Sequence, residues 1–350
     1  MSQVRYGLIG AGQIAYHAAN QINNHDDATV IAATDLSAER LKKLCEEKEI
    51  PSSYATADEL LANPDVDAVY IAVPNKFHAP LAIQSLEAGK HVILEKPFVM
   101  NAEEGEAVIS AAQRSGKQFT VGMNQRFAEN HQKIISLQRQ GVFGEIYHAK
   151  AFWNRRTGIP GMGTWFGNKL LAGGGCLNDI GVHYLDLCLY AINRFDPVSV
   201  YGATYTKFGN RGLGAGGWGI SDKTESVFDV DDFASALIRF ADGSTVSLDA
   251  SWACHQETPN RNGVQLYGTD AGADVAAAKV FRNDPLRDDY DVIENVKTDL
   301  LHPHCCRFAN FTNAILGREA LATPPAQSLV VQKILDAIQE SSATGREVIL

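Results

Sequence analysis

Hydrophobic and polar positions alternate in two different ways along the chain, and the change comes near residue 123. Before it, short apolar runs at Val4–Ile9, 29–34, 68–73, His91–Leu94 and 118–121 read as strands. Stretches of helical spacing separate them. Gln13–Asn23 places Ile14, Ala18 and Ile22 on one face, and Ala38–Lys48 follows Ser37, a plausible N-cap. Thr56-Ala-Asp-Glu59 reads as a capping box opening a short helix. Residues 80–88 form a further helical stretch closed by Gly89, and Asn101 caps another that runs to about Arg114. Apolar strands alternating with helices predict a parallel sheet covered on both faces.

After residue 123 the period changes. A helix over 128–140 ends at Gly141, and longer runs with period-two alternation follow at 146–153, 198–205, Phe233–Phe240, 244–252 and 264–267. In 244–252, Val246, Leu248, Ala250 and Trp252 share one face, and Ser247, Asp249 and Ser251 share the other. That is a one-sided antiparallel sheet. Ala241-Asp-Gly-Ser244 is a hairpin turn between two of its strands. A helix over 327–341 closes the chain. Residues 209–219 hold six glycines and Trp218, and read as a mobile loop. The predicted fold is an α/β domain with a parallel sheet over 1–123. An α+β domain with an open, mainly antiparallel sheet follows over 124–350.

Composition narrows the partners. The chain has 350 residues, 45% hydrophobic and 21% charged, with 31 Lys+Arg against 41 Asp+Glu and a net charge of −10. Two domains are the ordinary expectation for this length. The acidic balance, without a basic cluster, argues against nucleic acid. No apolar run reaches the ~18 residues of a membrane helix, and no signal segment precedes the first glycine motif, so a cytoplasmic location is expected. The six cysteines include no Cys-x-x-Cys pair and read as free thiols.

Gly10-Ala-Gly-Gln-Ile-Ala15 directly follows the first strand and opens the first helix, matching G-x-G-x-x-G/A. Gly10 permits the tight turn. Gly12 lets the backbone approach a pyrophosphate at the helix N-terminus, and Ala15 packs close to the strand. Asp35 lies 23 residues past Gly12, at the end of the second strand. A carboxylate there accepts hydrogen bonds from ribose hydroxyls and repels a 2′-phosphate, which favours NAD over NADP. Ile71-Ala-Val-Pro-Asn75 and Ile93-Leu-Glu-Lys-Pro97 end two further strands, where an open α/β sheet binds its ligand. Gln13, Ile14, Ala72, Pro74, Asn75, His78, Glu95 and Lys96 complete the expected cofactor contacts.

These motifs, together with Asp179-Ile-Gly-Val-His183 after Gly173-Gly-Gly175, resemble the Gfo/Idh/MocA oxidoreductases along essentially the whole chain. The tail over 324–350 is similar to that family's C-terminal helix. The resemblance implies a sugar, polyol or related carbohydrate substrate. It implies an active site at Lys96, Asp179 and His183, a cis proline at Pro97, and Asn124 beside the nicotinamide. The residue chemistry agrees. Asp179 and His183, at i and i+4, share a helix face. His suits removal of a hydroxyl proton near neutral pH, and Lys96 can stabilise a developing alkoxide. Either His183 or Lys96 can move the proton. Asp179 can hold a neighbouring hydroxyl or orient His183.

Arg126, Arg156, Trp165 and Asn178 are weaker candidates for substrate contact. His302-Pro-His304-Cys305-Cys306 superficially resembles a metal cluster, but no matching pair lies elsewhere and no metal is expected. It reads as the start of a helix, with His302 or His304 near the substrate. The acidic stretch 283–294 reads as a solvated loop. Two other functions compete with a dehydrogenase. One is an NAD-dependent glycosidase that oxidises transiently and eliminates; the other is a non-catalytic NAD-binding sensor. The uncovered sheet face, carrying Trp252 or Tyr205, predicts a homodimer or homotetramer.

Overall fold

A computed structural model describes residues 3–219, 227–284, 286, 289–294 and 296–350. The first sheet comprises β1 (Val4–Ile9), β2 (Ala28–Thr34), β3 (Ser52–Tyr54), β4 (Ala68–Ile71), β5 (His91–Leu94) and β6 (Phe119–Val121). They pair in parallel in the order β3-β2-β1-β4-β5-β6. The strand order reverses between β1 and β4, which opens a crevice at their carboxyl ends. β3, with only one half-buried face, carries no hydrophobic signal of its own. Local chemistry sets the helix starts as expected. Ser37 Oγ accepts from Arg40 N, Thr56 Oγ1 from Glu59 N, and Asn101 Oδ1 from Glu104 N.

The second sheet comprises β7 (Ile146–Arg155), β8 (Pro197–Tyr205), β9 (Phe233–Phe240), β10 (Thr245–Ser251), β11 (Asn260–Gly268), β12 (Gly272–Asp274), β13 (Lys279–Asp284), β14 (Asp289–Ile293) and β15 (Val348–Ile349). Their order is β14-β13-β12-β11-β7-β10-β9-β8-β15. The sheet is mainly antiparallel, but β7 and β10 run parallel at its centre. The stretch read as a solvated loop over 283–294 is instead largely strand, because β13 pairs with β14 in a hairpin. The glycine-rich segment also departs from expectation. It is tethered, with Ala215 bridged to Ile159, Trp218 Nε1 donating to Gly158 O at 2.8 Å, and Gly161 N donating to Trp218 O at 2.6 Å.

Trp252 and the alternating Val246, Leu248 and Ala250 are buried on the inner face, against Leu177, Ile180 and the helix Val182–Ile192. Tyr201, Tyr205 and Leu237 stand exposed. Alternation along β8 and β9 therefore assigns Tyr205, and not Trp252, to the open face.

The chain then returns to the first sheet. The helix Arg307–Ile315 buries Phe308 and Phe311 in the core that Tyr6, Leu8 and Tyr70 form, and Thr312 Oγ1 lies 2.8 Å from the buried Tyr6 hydroxyl. The closing helix Pro325–Thr344 packs on β8 and reaches the first domain, where Asp336 Oδ2 accepts from Ala102 N at 2.7 Å. The two domains thus share their C-terminal elements, which fixes the cleft between them. No helix among the described residues is long and apolar enough to cross a membrane.

Candidate active site

The glycine turn is forced by geometry. Gly10 has φ +105°, and a Cβ there would lie 2.2 Å from the Ala72 carbonyl oxygen. Gly12 is different: nothing lies within 4 Å of the Cβ it lacks. It precedes the helix Gln13–Asn23, whose first N–H groups receive no side-chain cap. That leaves an open anion cradle at a helix start. Ile14 and Gln13 are exposed beside it. Asp35 Oδ2 accepts from Ala11 N and its Oδ1 from Ser37 N, both at 2.7 Å. The carboxylate therefore holds the turn. These residues fit a dinucleotide.

At the neighbouring strand ends the chain is braced from behind. Glu95 is buried; its Oε1 accepts from the Tyr70 hydroxyl at 2.5 Å and from Arg307 Nη2 at 2.6 Å, and its Oε2 from Lys96 N at 3.0 Å. Burial alone would raise its pKa, but Arg307, Tyr70 and Lys96 together pull it down to about 2. Arg307 also donates to Gly122 O at 2.6 Å. One guanidinium thus ties the ends of β4, β5 and β6. The Lys96-Pro97 peptide is cis. His78, expected at the cofactor, is buried behind it instead, its ring nitrogens 2.9 Å from Pro97 O and 3.0 Å from Val73 O. Asn75 is likewise committed, donating to Ala172 O at 2.8 Å. Ala72 and Pro74 remain half-exposed at the cleft, and Asn124 is exposed after β6.

The second domain brings Asp179 and His183 to Lys96. Lys96 Nζ donates to Asp179 Oδ1 at 2.8 Å and to Asp179 O at 3.0 Å. Asp179 Oδ2 accepts from Trp252 Nε1 at 2.9 Å. Burial would raise the Asp179 pKa, but the Lys96 charge, with Trp252 and His183, holds it below the usual carboxylate range. His183 Nδ1 is buried with no hydrogen-bond partner. Burial, then the Lys96 charge, pushes the imidazole down to about 3, against the opposite pull of Asp179 and Glu95. The ring is therefore neutral at neutral pH, not poised there as its ordinary value suggested.

The local backbone is unusual. Leu177–Gly181 is a π-helical turn that runs into the helix Val182–Ile192, a device found often at functional sites. Asp231 starts it: Gly175 N, Leu177 N and the Cys176 thiol donate to its carboxylate. Gly175 is required there, since a Cβ would sit 1.8 Å from Asp231 O. The acidic cluster 229–232 was the only sequence signal for that cap.

Two of the four candidate substrate contacts, Arg126 and Arg156, are held by other groups of the chain, and Asn178 adjoins Asp179 in the π-helical turn. Arg126 is fully buried, bidentate on Asp186 at 2.8 and 2.5 Å, and serves as a structural ion pair. Arg156 is exposed and caps the 256–257 carbonyls. Asn178 is buried, its Oδ1 accepting from Gln339 Nε2 at 3.2 Å. Trp165 is half-exposed and stacks on Phe166 with ring centroids 3.9 Å apart. Near His183 stand Trp153, which the sequence reading passed over, and Arg155, which it weighed with Arg156 as one of two adjacent arginines able to bind a carboxylate or a phosphate. Trp153 lies 5.8 Å from the His183 ring, and Arg155, two positions on along the same face of β7, stacks on Trp153 at 4.4 Å and on Trp218 at 5.5 Å. The strand's alternation carried that signal, since it turns Arg155 inward and Arg156 out.

His302 and His304 meet Glu319 and pack against Phe127, and no hydrogen bond links them to Lys96 or His183. His304 Nδ1 accepts from Cys306 N, so Nε2 carries its proton toward Glu319. A metal at Nε2 would have to displace that proton, and the arrangement is complete as a hydrogen-bonded cluster.

Comparison with known proteins agrees with this geometry. Residues 4–123 match the family described as "Oxidoreductase family, NAD-binding Rossmann fold", and residues 131–274 match the GFO/IDH/MocA C-terminal domain. The chain is 29% identical to D-glucoside 3-dehydrogenase of Escherichia coli (strain K12), over 99% of this chain and 97% of that protein. It is 34% identical to a putative UDP-kanosamine synthase oxidoreductase subunit of Amycolatopsis mediterranei (strain S699), over 67% of this chain and 64% of that one. The fold superposes on levoglucosan dehydrogenase in complex with NADH and levoglucosan with a TM-score of 0.82, at 22% identity and 99% coverage of each chain.

Proposed function

The chain belongs to the Gfo/Idh/MocA oxidoreductase family, and from that premise we propose that it oxidises a secondary hydroxyl of a carbohydrate, glycoside or polyol at the Lys96–Asp179–His183 cleft, with NAD as acceptor. One observation carries the reading. Lys96, at the end of a cofactor-domain strand, is anchored at 2.8 Å on Asp179 of the second domain, and His183 follows Asp179 by four positions in the same helical run. Gly10, Gly12, Ile14, Asp35, Ala72, Pro74 and Asn124 would hold the dinucleotide. When bound, the nicotinamide supplies the hydride acceptor.

The rest is done by the chain itself. Lys96 Nζ, anchored on both the carboxylate and the carbonyl of Asp179, presents positive charge to the substrate oxygen as alkoxide character develops. His183, held neutral by burial, takes the hydroxyl proton on its ring nitrogen facing the cleft. Trp252 Nε1 holds the second oxygen of Asp179. Trp153 walls the site beside the imidazole.

Asp35 favours NAD over NADP. The exposed Tyr201, Tyr205 and Leu237 fit a second copy covering the open sheet face. The six free cysteines fit a reducing, cytoplasmic setting. The deciding experiment is a screen of NAD reduction across monosaccharides, inositols, anhydrosugars and glycosides. NADH should accumulate in step with ketone. Aglycone release without NADH accumulation would favour the redox-neutral glycosidase, and binding without turnover would favour a sensor.

A further inference from the structure

Among the described residues, Arg155 is a cation without a counter-ion, close to the reacting groups. Its guanidinium makes no hydrogen bond or ion pair among the described residues; its contacts are the Trp153 and Trp218 rings. The nearest acid, Asp179, is already committed to Lys96 and Trp252. Burial lowers the Arg155 pKa, against the pull of Asp179 and Tyr184. A half-buried charge left this way is costly unless something pairs it.

The surroundings are built for that arginine. Gly158 leaves room for its stem, since a Cβ there would lie 2.5 Å from Arg155 Cδ. Gly216 lets the two loops meet, because its Cβ would lie 2.6 Å from Gly158 Cα and 2.8 Å from Trp218 Cδ1. The Trp218 indole is fixed by its bond to Gly158 O at 2.8 Å. The glycine-rich segment therefore serves close approach, and it sets Trp218 against the guanidinium. Arg155, Thr157, Gly158, Gly216, Trp218, Pro259 and Asn260 line an open cavity of about 320 Å³. Trp153 spans from Arg155 to His183, at 4.4 and 5.8 Å.

We propose that this cavity is an anion-accepting subsite in which Arg155 pairs with a carboxylate of the substrate, so that the sugar oxidised at His183 is a uronic acid or its glycoside. The proposal rests on the function proposed above and names its substrate class. A guanidinium presents a planar fork of donors that matches a carboxylate two-on-two. The indoles favour the cation without neutralising it.

The test compares kcat/KM for NAD reduction with methyl β-D-glucuronoside, methyl β-D-glucoside and glucose 6-phosphate, in the wild-type protein, Arg155→Met and Arg155→Lys. The wild type should prefer the uronoside over the glucoside by roughly 10- to 100-fold, the range of a hydrogen bond to a charged group. Arg155→Met should bring that ratio close to one, mainly through KM, and Arg155→Lys should restore part of it. A wild-type preference for the glucoside overturns the proposal while leaving the dehydrogenase reading intact. So does a uronoside preference that survives in Arg155→Met. A preference for the phosphate overturns the carboxylate assignment. Failure of every sugar to reduce NAD, with NAD binding retained by tryptophan fluorescence, overturns the subsite and the dehydrogenase reading together.

Discussion

The two halves of the cleft are specified in different ways. The cofactor half is made of backbone: a glycine at φ +105°, a helix start with open N–H groups, and one carboxylate 23 residues on in sequence. Its determinants are local, so a short motif carries them. The substrate half is made of side chains brought from far apart. Lys96 meets Asp179 across 83 positions, and Asp179 meets Trp252 across 73. The comparison teaches that binding of a common ligand can be written into a turn, whereas the reacting groups depend on how two domains are clamped together.

The clamp is made of buried ion pairs and a helix cap. Arg307 ties three strand ends, Arg126 pairs with Asp186 inside the second domain, and Asp336 caps the helix Ala102–Ser115 of the first. Disturbing either half should therefore give distinct signatures.

The largest effect belongs to the substrate half. His183→Ala should lower kcat by roughly 10²–10⁴-fold, as for other positioned proton-transfer groups, with NAD affinity by fluorescence titration nearly unchanged. Lys96→Met should cost a similar amount, and the double variant little more than the worse single one. Additive losses would separate the two groups and break the picture of one shared oxyanion and proton.

Removing a clamp should act on stability first. Arg126→Ala leaves Asp186 buried and unpaired, which typically costs about 3–5 kcal/mol. Chemical denaturation should show that loss, whereas Arg156→Ala, at an exposed turn, should shift the midpoint little. Equal effects would return Arg126 to the list of substrate contacts.

The cofactor half responds to a single methyl group. Gly10→Ala places a Cβ against Ala72 O at a strained φ, at a cost of order 1–3 kcal/mol. NAD affinity should fall by roughly tenfold or more on the same scale, and calorimetric titration reads it. Asp35→Ser should give a smaller change, a narrowed ratio of NAD to NADP efficiency, because the carboxylate also holds Ala11 and Ser37 in place.

Acid should affect both halves through histidines held neutral. Burial lowers His183 to about 3 and His91 to about 4, and also lowers His78 and His131. The unfolded chain takes up these protons near pH 6.5 and the folded chain only lower down. Stability is thus fully present above pH 6.5 and declines as pH falls from there toward 4 and 3. Thermal melts should show that decline. Activity should lack a rising limb near neutrality; such a limb, lost in His183→Ala, would mean that bound substrate restores an ordinary imidazole.

The sequence by itself determined what depends on short-range physics. The period-two and period-3.6 patterns separated the parallel sheet from the open one. Gly10, Gly12 and Asp35 marked the dinucleotide turn, and Ser37, Thr56 and Asn101 marked their helix starts. The family resemblance pointed to Lys96, Asp179 and His183, and the fold brings Lys96 onto Asp179. Tertiary structure decided the rest. Among the candidates for substrate contact, Arg126 and Arg156 were given other partners, since a charged side chain looks the same in sequence whether it meets a buried acid, a turn carbonyl or a ligand. Only the inward turn of β7 and the close approach of two glycine loops set Arg155 beside the cleft. The neutrality of His183 likewise came from burial and the charge of Lys96, 87 positions away in the chain. Desolvation and long-range charge are properties of the packed fold, which no local pattern carries.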